Sequence, residues 1–137
     1  MLLESTSLAT AFRYLADSLR QDYGLDPAPV FQRAGVSLAG TRTSGSRVPQ
    51  RAARRLWELA IAATGDPAIG LKVGKRIRPQ GLHALGYAWM SSRTLADALR
   101  RFARFTHVLV TIPATVEVTS SDAGCQLTAV YPDPAHQ

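Results

Sequence analysis

Residues 79–109, PQGLHALGYAWMSSRTLADALRRFARFTHVL, decide how this chain is read. They predict a short apolar helix over 82–90, a Ser-Ser-Arg-Thr break, and a long amphipathic helix over 94–109. The first of these is apolar on two sides. Leu82, Leu85, Gly86 and Trp89 follow one side, and His83, Tyr87 and Met90 follow another. A helix of that kind is normally enclosed between other elements. It is either plain core or the wall of a ligand pocket, because such pockets are apolar with a few polar tips. On the pocket reading, His83 and Tyr87 supply the tips, and Met90 and Trp57 complete the candidate set. In helix 94–109, Leu95, Leu99, Phe102 and Leu109 are expected to face inward, with Arg93, Arg100, Arg101 and Arg104 outside. Thr94 followed by Asp97 forms a capping-box-like start.

Two helices separated by a short break also fit a DNA-reading helix-turn-helix. There the second helix offers polar side chains near its N-terminus to base edges. Arg93 would sit at that end, and Arg100, Arg101 and Arg104 could meet phosphates through salt-sensitive contacts. Three features oppose this. The turn Met90-Ser91-Ser92-Arg93 lacks the glycine often found there. The first helix is too aromatic to cross a solvated backbone, and Asp97 places negative charge where DNA would lie.

Working outward toward the N-terminus, the punctuation is regular. Thr6 to Arg20 is expected to be one helix, with Leu8, Ala11, Phe12, Leu15 and Leu19 recurring at helical spacing. Gly24 is its stop. Asp26-Pro27 caps a short helix that ends at Gly35. Residues 36–47, VSLAGTRTSGSR, are expected to be a flexible loop. Val48-Pro49 opens a helix that runs to about Thr64, with Leu56, Leu59, Ala60 and Ala63 as its buried stripe and Trp57 beside it. Gly65 stops it. Asp66-Pro67 then introduces a short helix carrying Ile69, Leu71 and Val73. Toward the C-terminus the period changes from helical to alternating after Pro113. Residues 114–120 and 125–131 read as two strands about a Ser121-Asp122-Ala123-Gly124 turn. Two strands alone are marginal, so the hairpin must pack on helices or pair further. The fold class expected is α+β: mainly helical, about six helices, with a C-terminal β-hairpin.

Bulk composition narrows the function. A chain of 137 residues, 46% hydrophobic, holds one domain or most of one. It contains no apolar run long enough to span a membrane and no basic-then-apolar leader. The lone Cys125 excludes an internal disulfide framework and fits a reducing, cytoplasmic setting; its mid-strand place reads as a small inert apolar residue. The net charge of +6 raises nucleic acid as a partner. Yet arginine dominates the basic residues and is spread from Arg13 to Arg104, without the clustered patch that usually marks such a surface. His83, His107 and His136 have no metal-ligand spacing with one another, with Cys125 or with a carboxylate. No Walker, dinucleotide or GxSxG spacing occurs, and no carboxylates are placed as an acid/base pair. Neither a catalytic residue, a metal nor a cofactor is expected; the chain reads as a non-enzyme.

Several short elements, taken in order, resemble a known family. They are Leu25-Asp26-Pro27, Arg33-Ala34-Gly35-Val36, Val48-Pro49, Leu56-Trp57, Gly65-Asp66-Pro67 and Gly70-Leu71. Leu85-Gly86-Tyr87-Ala88, Ser92, Thr94-Leu95 and Ala98-Leu99 complete the set. Together they are similar to the N-terminal effector or dimerisation domain of AraC-type bacterial transcription regulators, over about residues 6 to 131. The resemblance implies a small-molecule effector, a homodimer, or both, and contact with DNA only through a separate C-terminal domain; an apolar pocket with His83 and Tyr87 would suit a fatty-acid-like carboxylate with an apolar tail, and an amino acid equally. On that reading residues 1–137 are one regulatory domain, incomplete at its C-terminal end, with the DNA-binding domain absent. The resemblance supplies no effector-contacting positions; the pocket set above rests on side-chain chemistry alone.

Overall fold

The computed structural model describes residues 4–111 and 114–130. Six α-helices carry it: α1 (Thr10–Tyr23), α2 (Pro27–Ala34), α3 (Gln50–Thr64), α4 (Ile69–Arg76), α5 (His83–Met90) and α6 (Leu95–Phe105). A two-stranded clasp, β1 (Thr6–Leu8) and β2 (Arg47–Pro49), and a C-terminal antiparallel hairpin, β3 (Thr115–Ser121) with β4 (Gly124–Val130), complete the α+β fold. The helix ends follow local chemistry. Gly24, Gly35 and Gly65 end α1, α2 and α3 in the left-handed conformation that a side chain resists. The Asp26 carboxylate accepts the Ala28 N–H at the start of α2, and the Thr94 hydroxyl accepts the Asp97 N–H at the start of α6.

The N-terminal element differs from expectation. Thr6–Leu8 is not the first turn of α1 but a strand, paired antiparallel with β2 in the register Ser7 to Val48. The chain returns to it a second time: Ser7 bridges Val110, the Leu8 N–H donates to the Leu109 carbonyl at 2.8 Å, and the Thr111 N–H donates to the Thr6 carbonyl at 2.9 Å. Arg47 reinforces this junction by donating to the Thr6 hydroxyl at 2.6 Å and to the Val108 carbonyl at 3.3 Å. Helical spacing at Leu8 was therefore coincidental, because its backbone partners lie some forty and a hundred residues away. Residues 36–47 are also more ordered in form than a plain loop. They include a 3-10 turn over Ala39–Arg42, and within it Thr41 is buried and donates to the Leu38 carbonyl at 2.6 Å.

The core lies where α1, α2, α3 and α4 meet. Leu15 and Leu19 of α1, Phe31 of α2, Leu56 of α3 and Ile69 of α4 are fully enclosed. Ile69 and Val73 share the inner face of α4, but Leu71 is 72% exposed. Residues two apart in a helix point in roughly opposite directions, so that row could not hold all three. Leu95 is likewise exposed, at 67%, although Ala98 of the same helix is buried. In the hairpin, Val116 and Val118 are half-buried beside α6, but every residue of β4 is exposed. Cys125 is exposed accordingly, not packed as a core-like strand residue. Ala11 and Ala63, expected in buried stripes, are exposed too.

Two polar staples fix α4 against α1. Tyr23 donates to Asp66 at 2.5 Å, and Lys72 lies 3.5 Å from the same carboxylate and over the Tyr23 ring. Arg76 grips Asp22 with two guanidinium nitrogens, and Ser18 adds a 2.7 Å hydrogen bond to that carboxylate. The hydrogen bonds from Arg76 and then Ser18 hold the Asp22 carboxyl down, from its ordinary 3.8 to about 2. Because the folded value is the lower one, the stabilisation is complete above about 3.8 and is lost as the pH falls toward 2. Substituting Arg76→Ala should flatten the dependence of the melting temperature on pH across that window and leave the near-neutral slope unchanged. A melting profile as steep in the variant as in the parent chain would show that Asp22 does not report this pair.

Candidate functional site

The staples matter because the far end of α4 forms part of a cavity wall. An open cleft of about 520 Å³ lies between β1, the first turn of α1, Trp57 of α3, the chain leaving α4, and the α5–α6 pair. Its lining is apolar almost throughout. Phe12, Trp57, Trp89 and Phe102 contribute rings, and Leu8, Ile77, Leu82, Leu109 and Val110 contribute aliphatic surface. The Trp89 and Phe102 rings meet edge to face, with centroids 6.0 Å apart and planes at 88°. This contact ties α5 to α6 and sets the shape of that wall. Two hydroxyls interrupt the apolar lining. Ser7 is already committed, donating to Gln50 at 3.0 Å, whereas Thr10 lies 3.5 Å from the imidazole Nε2 of His83.

A smaller, polar niche of about 210 Å³ adjoins the cleft. Thr10 and Gly81 line both. Arg13, Arg42, Ser44, Gln80 and His83 supply its polar surface, and the buried ring of Tyr14 closes one side. A β-carbon at Gly81 would fall 1.8 Å from the Tyr14 hydroxyl, so any larger residue there would have to displace that ring. His83 has φ of 53°, the one positive φ at a non-glycine among the described residues. Such backbone costs roughly 1–3 kcal/mol and tends to persist where the surroundings hold a side chain for a purpose.

The candidate residues separate accordingly. Trp57 lines the cleft and His83 the adjoining niche. Tyr87 and Met90 are 66% and 56% exposed and line neither cavity. The side of α5 that enters the cleft is the Trp89 side, which the sequence presents equally well as core. Phe12 and Phe102 also fall on apolar helix faces in the sequence, and no local pattern distinguishes a ring against a cavity from a ring against a neighbour. Three of the four arginines of the DNA-reading alternative have partners within the fold. Arg100 bonds Asp97 and reaches Ser120 of β3 at 3.1 Å, Arg101 donates to the Ala88 carbonyl and the Ser91 hydroxyl, and Arg104 lies over the Phe105 ring. Arg93 is exposed. The hairpin packs along α6, on a helix that would need a bare flank to enter a major groove.

Among the described residues no three His, Cys, Asp or Glu side chains come together as a metal site. No described helix is long and apolar enough to cross a membrane. No carboxylate or thiol among the described residues lines the cleft or the niche, and the Thr10 hydroxyl and the His83 imidazole meet between them.

Residues 24–136 match the family described as the arabinose-binding domain of AraC transcription regulators, N-terminal. The chain is 28% identical over 113 residues to an ornithine utilization regulator of Pseudomonas aeruginosa. That alignment covers 82% of this chain and 33% of the relative, so the chain spans about a third of that protein's length. The match over most of the chain places this protein in the family of N-terminal arabinose-binding domains of AraC-type transcription regulators.

Proposed function

We propose that the chain is an effector-sensing domain that binds a small organic molecule in the aromatic cleft and passes the event to an attached DNA-binding domain. The observation that carries this reading is the cleft itself, which is apolar, open, and bounded by β1, α1, α3, the end of α4 and the α5–α6 pair. A ligand filling it would touch α1 and α3 on one side and the Trp89–Phe102 pair on the other. It would thereby change the energy of packing α5 and α6, and with them the hairpin along α6, against the body. Binding alters a regulator only if the ligand has different affinities for two arrangements. The α5–α6 unit is the element best placed to have two, since Trp89 and Phe102 are only half-buried where they meet the cleft. The matched relative is named for ornithine utilization, but this cleft presents no acidic side chain for an ornithine ammonium group. An effector with an apolar body fits it better.

Self-association through the hairpin is a second reading. Leu127 and Val130 of β4 are 43% and 55% exposed, and the outer edge of β4 is unpaired among the described residues. Exposed edges with apolar side chains invite pairing with another strand. A concentration-dependent rise in mass that a Leu127→Lys substitution abolished would support it.

The effector reading has a convenient reporter. Trp57 and Trp89 are the two tryptophans of the chain, and both line the cleft. Intrinsic fluorescence therefore reports its occupancy directly. A ligand that binds there should shift or quench the emission and raise the melting temperature; at a hundredfold excess over Kd the stabilisation is about 2.7 kcal/mol. A screen of amino acids, carboxylates and neutral apolar compounds that moved neither signal would overturn the cleft as an effector site.

A further inference from the structure

We infer that the cleft and the niche form one bipartite site for an organic anion, a carboxylate attached to an aromatic or branched apolar body. The inference rests on the effector reading of the cleft and adds the class of ligand. The two cavities share Thr10 and Gly81 as a common wall, so a single molecule can occupy both. The larger one is lined by rings and the smaller by two arginines and a histidine. An aryl group gains by stacking or edge contact in the first. A carboxylate gains charge-assisted, potentially bidentate hydrogen bonds in the second.

The arginines are available for this. No acidic residue lines either cavity. Arg42 makes no ion pair among the described residues. Arg13 has only a long contact, 4.0 Å from Asp17, and that carboxylate is also approached by Arg20 at 3.8 Å. The positive charge at the niche is thus largely uncompensated. His83 stands at the junction, its imidazole reaching Thr10 between the two compartments while its backbone holds the unusual positive φ. That placement makes the Thr10–His83 contact the point a ligand would cross. A cationic amino acid would be repelled at one end of the site and left without an acidic partner at the other.

The test compares acids with their neutral counterparts. Phenylacetate, hydrocinnamate and phenylbutyrate, each beside its primary amide, are titrated into the whole chain and followed by tryptophan fluorescence and calorimetry. The acids should bind at least roughly tenfold tighter than the amides, as expected for hydrogen bonds to a charged group. Affinity should rise by up to roughly fourfold for each added methylene until the cleft is filled. Arg42→Gln and Arg13→Gln, both on exposed side chains, should cut the preference for acid over amide to within about threefold, leaving amide affinity unchanged. Arg93→Gln, at an exposed residue that lines neither cavity, should leave the preference intact. Equal binding of acids and amides would overturn the anion inference while leaving the apolar cleft as an effector site. Tighter binding of lysine or arginine than of the acids would also overturn it. Silence from both series would end the inference too, and the wider ligand screen would then decide separately whether the cleft binds anything.

Discussion

Replacing Phe31 with alanine is expected to destabilise the fold by about 4 kcal/mol, within the range of roughly 3–5 for deleting a buried ring. Phe31 is fully inaccessible and is the largest side chain so enclosed. It sits on α2, which packs across α3, so its removal leaves a hole between the helices that the short α2 cannot refill by moving alone. Domains of this size have stabilities of roughly 5–15 kcal/mol, and a loss near 4 consumes most of the margin at the lower end. Urea denaturation of the variant should show a much lower midpoint with a similar slope. Leu71→Ala provides the contrast. Leucine is as hydrophobic as its neighbours in α4, but it is 72% exposed, and its truncation should change stability by no more than about 0.5 kcal/mol. Equal losses in the two variants would contradict the placement of Phe31 in the core.

Gly86→Ala should produce the second large loss, at a position where helix propensity alone predicts a gain. Within α5, replacing glycine with alanine favours the helix by up to about 1 kcal/mol. Here the added β-carbon would lie 1.6 Å from the Pro79 carbonyl oxygen and 2.4 Å from its carbon. Those atoms belong to backbone and cannot swing aside as a flexible side chain would. The 3-10 turn over Pro79–Leu82 must lift off α5, at or above the roughly 1–3 kcal/mol usual for overpacking. The loss should be visible as a drop of several degrees in melting temperature. It should also reach the site, because Pro79, Gly81 and Leu82 line the cleft on that turn and Trp89 lines it from α5. The variant's tryptophan emission should therefore differ from that of the parent chain even without ligand. A melting temperature at or above the parent's would mean that Pro79 does not rest on Gly86.

These two substitutions mark where reading the chain residue by residue succeeds and where it stops. Leu85-Gly86-Tyr87-Ala88 is one of the elements carrying the family resemblance, and its glycine reads in the sequence as one for a helix end or close packing, with nothing local to say against what. The reason is a carbonyl seven residues earlier, brought against the helix by the turn between them. Tyr87 was a reasonable candidate for a polar tip because it lies on a helix apolar on two sides; its 66% exposure follows from which side α6 and the cleft happen to take. Arg13 and Arg42 were unremarkable in the chain, one as an outward charge on a helix and the other inside a supposed loop. They come together only because the 3-10 turn over Ala39–Arg42 folds back beside α1.

The sequence by itself determined the features whose causes are local. Gly24, Gly35 and Gly65 had to end helices, Asp26 and Thr94 had to begin them, and residues 114–130 had to alternate as a hairpin. Each depends on contacts within a few residues, where backbone sterics and short hydrogen bonds leave few choices. Tertiary structure alone decided the strand at Thr6–Leu8, the exposure of Leu71, Tyr87 and Leu95, and the cleft with its basic niche. Hydrophobic burial has no direction of its own and specifies only that apolar surface be covered. Which surface covers Trp57 and Trp89, and which leaves space beside them, is settled by how residues from Ser7 to Val110 are brought together.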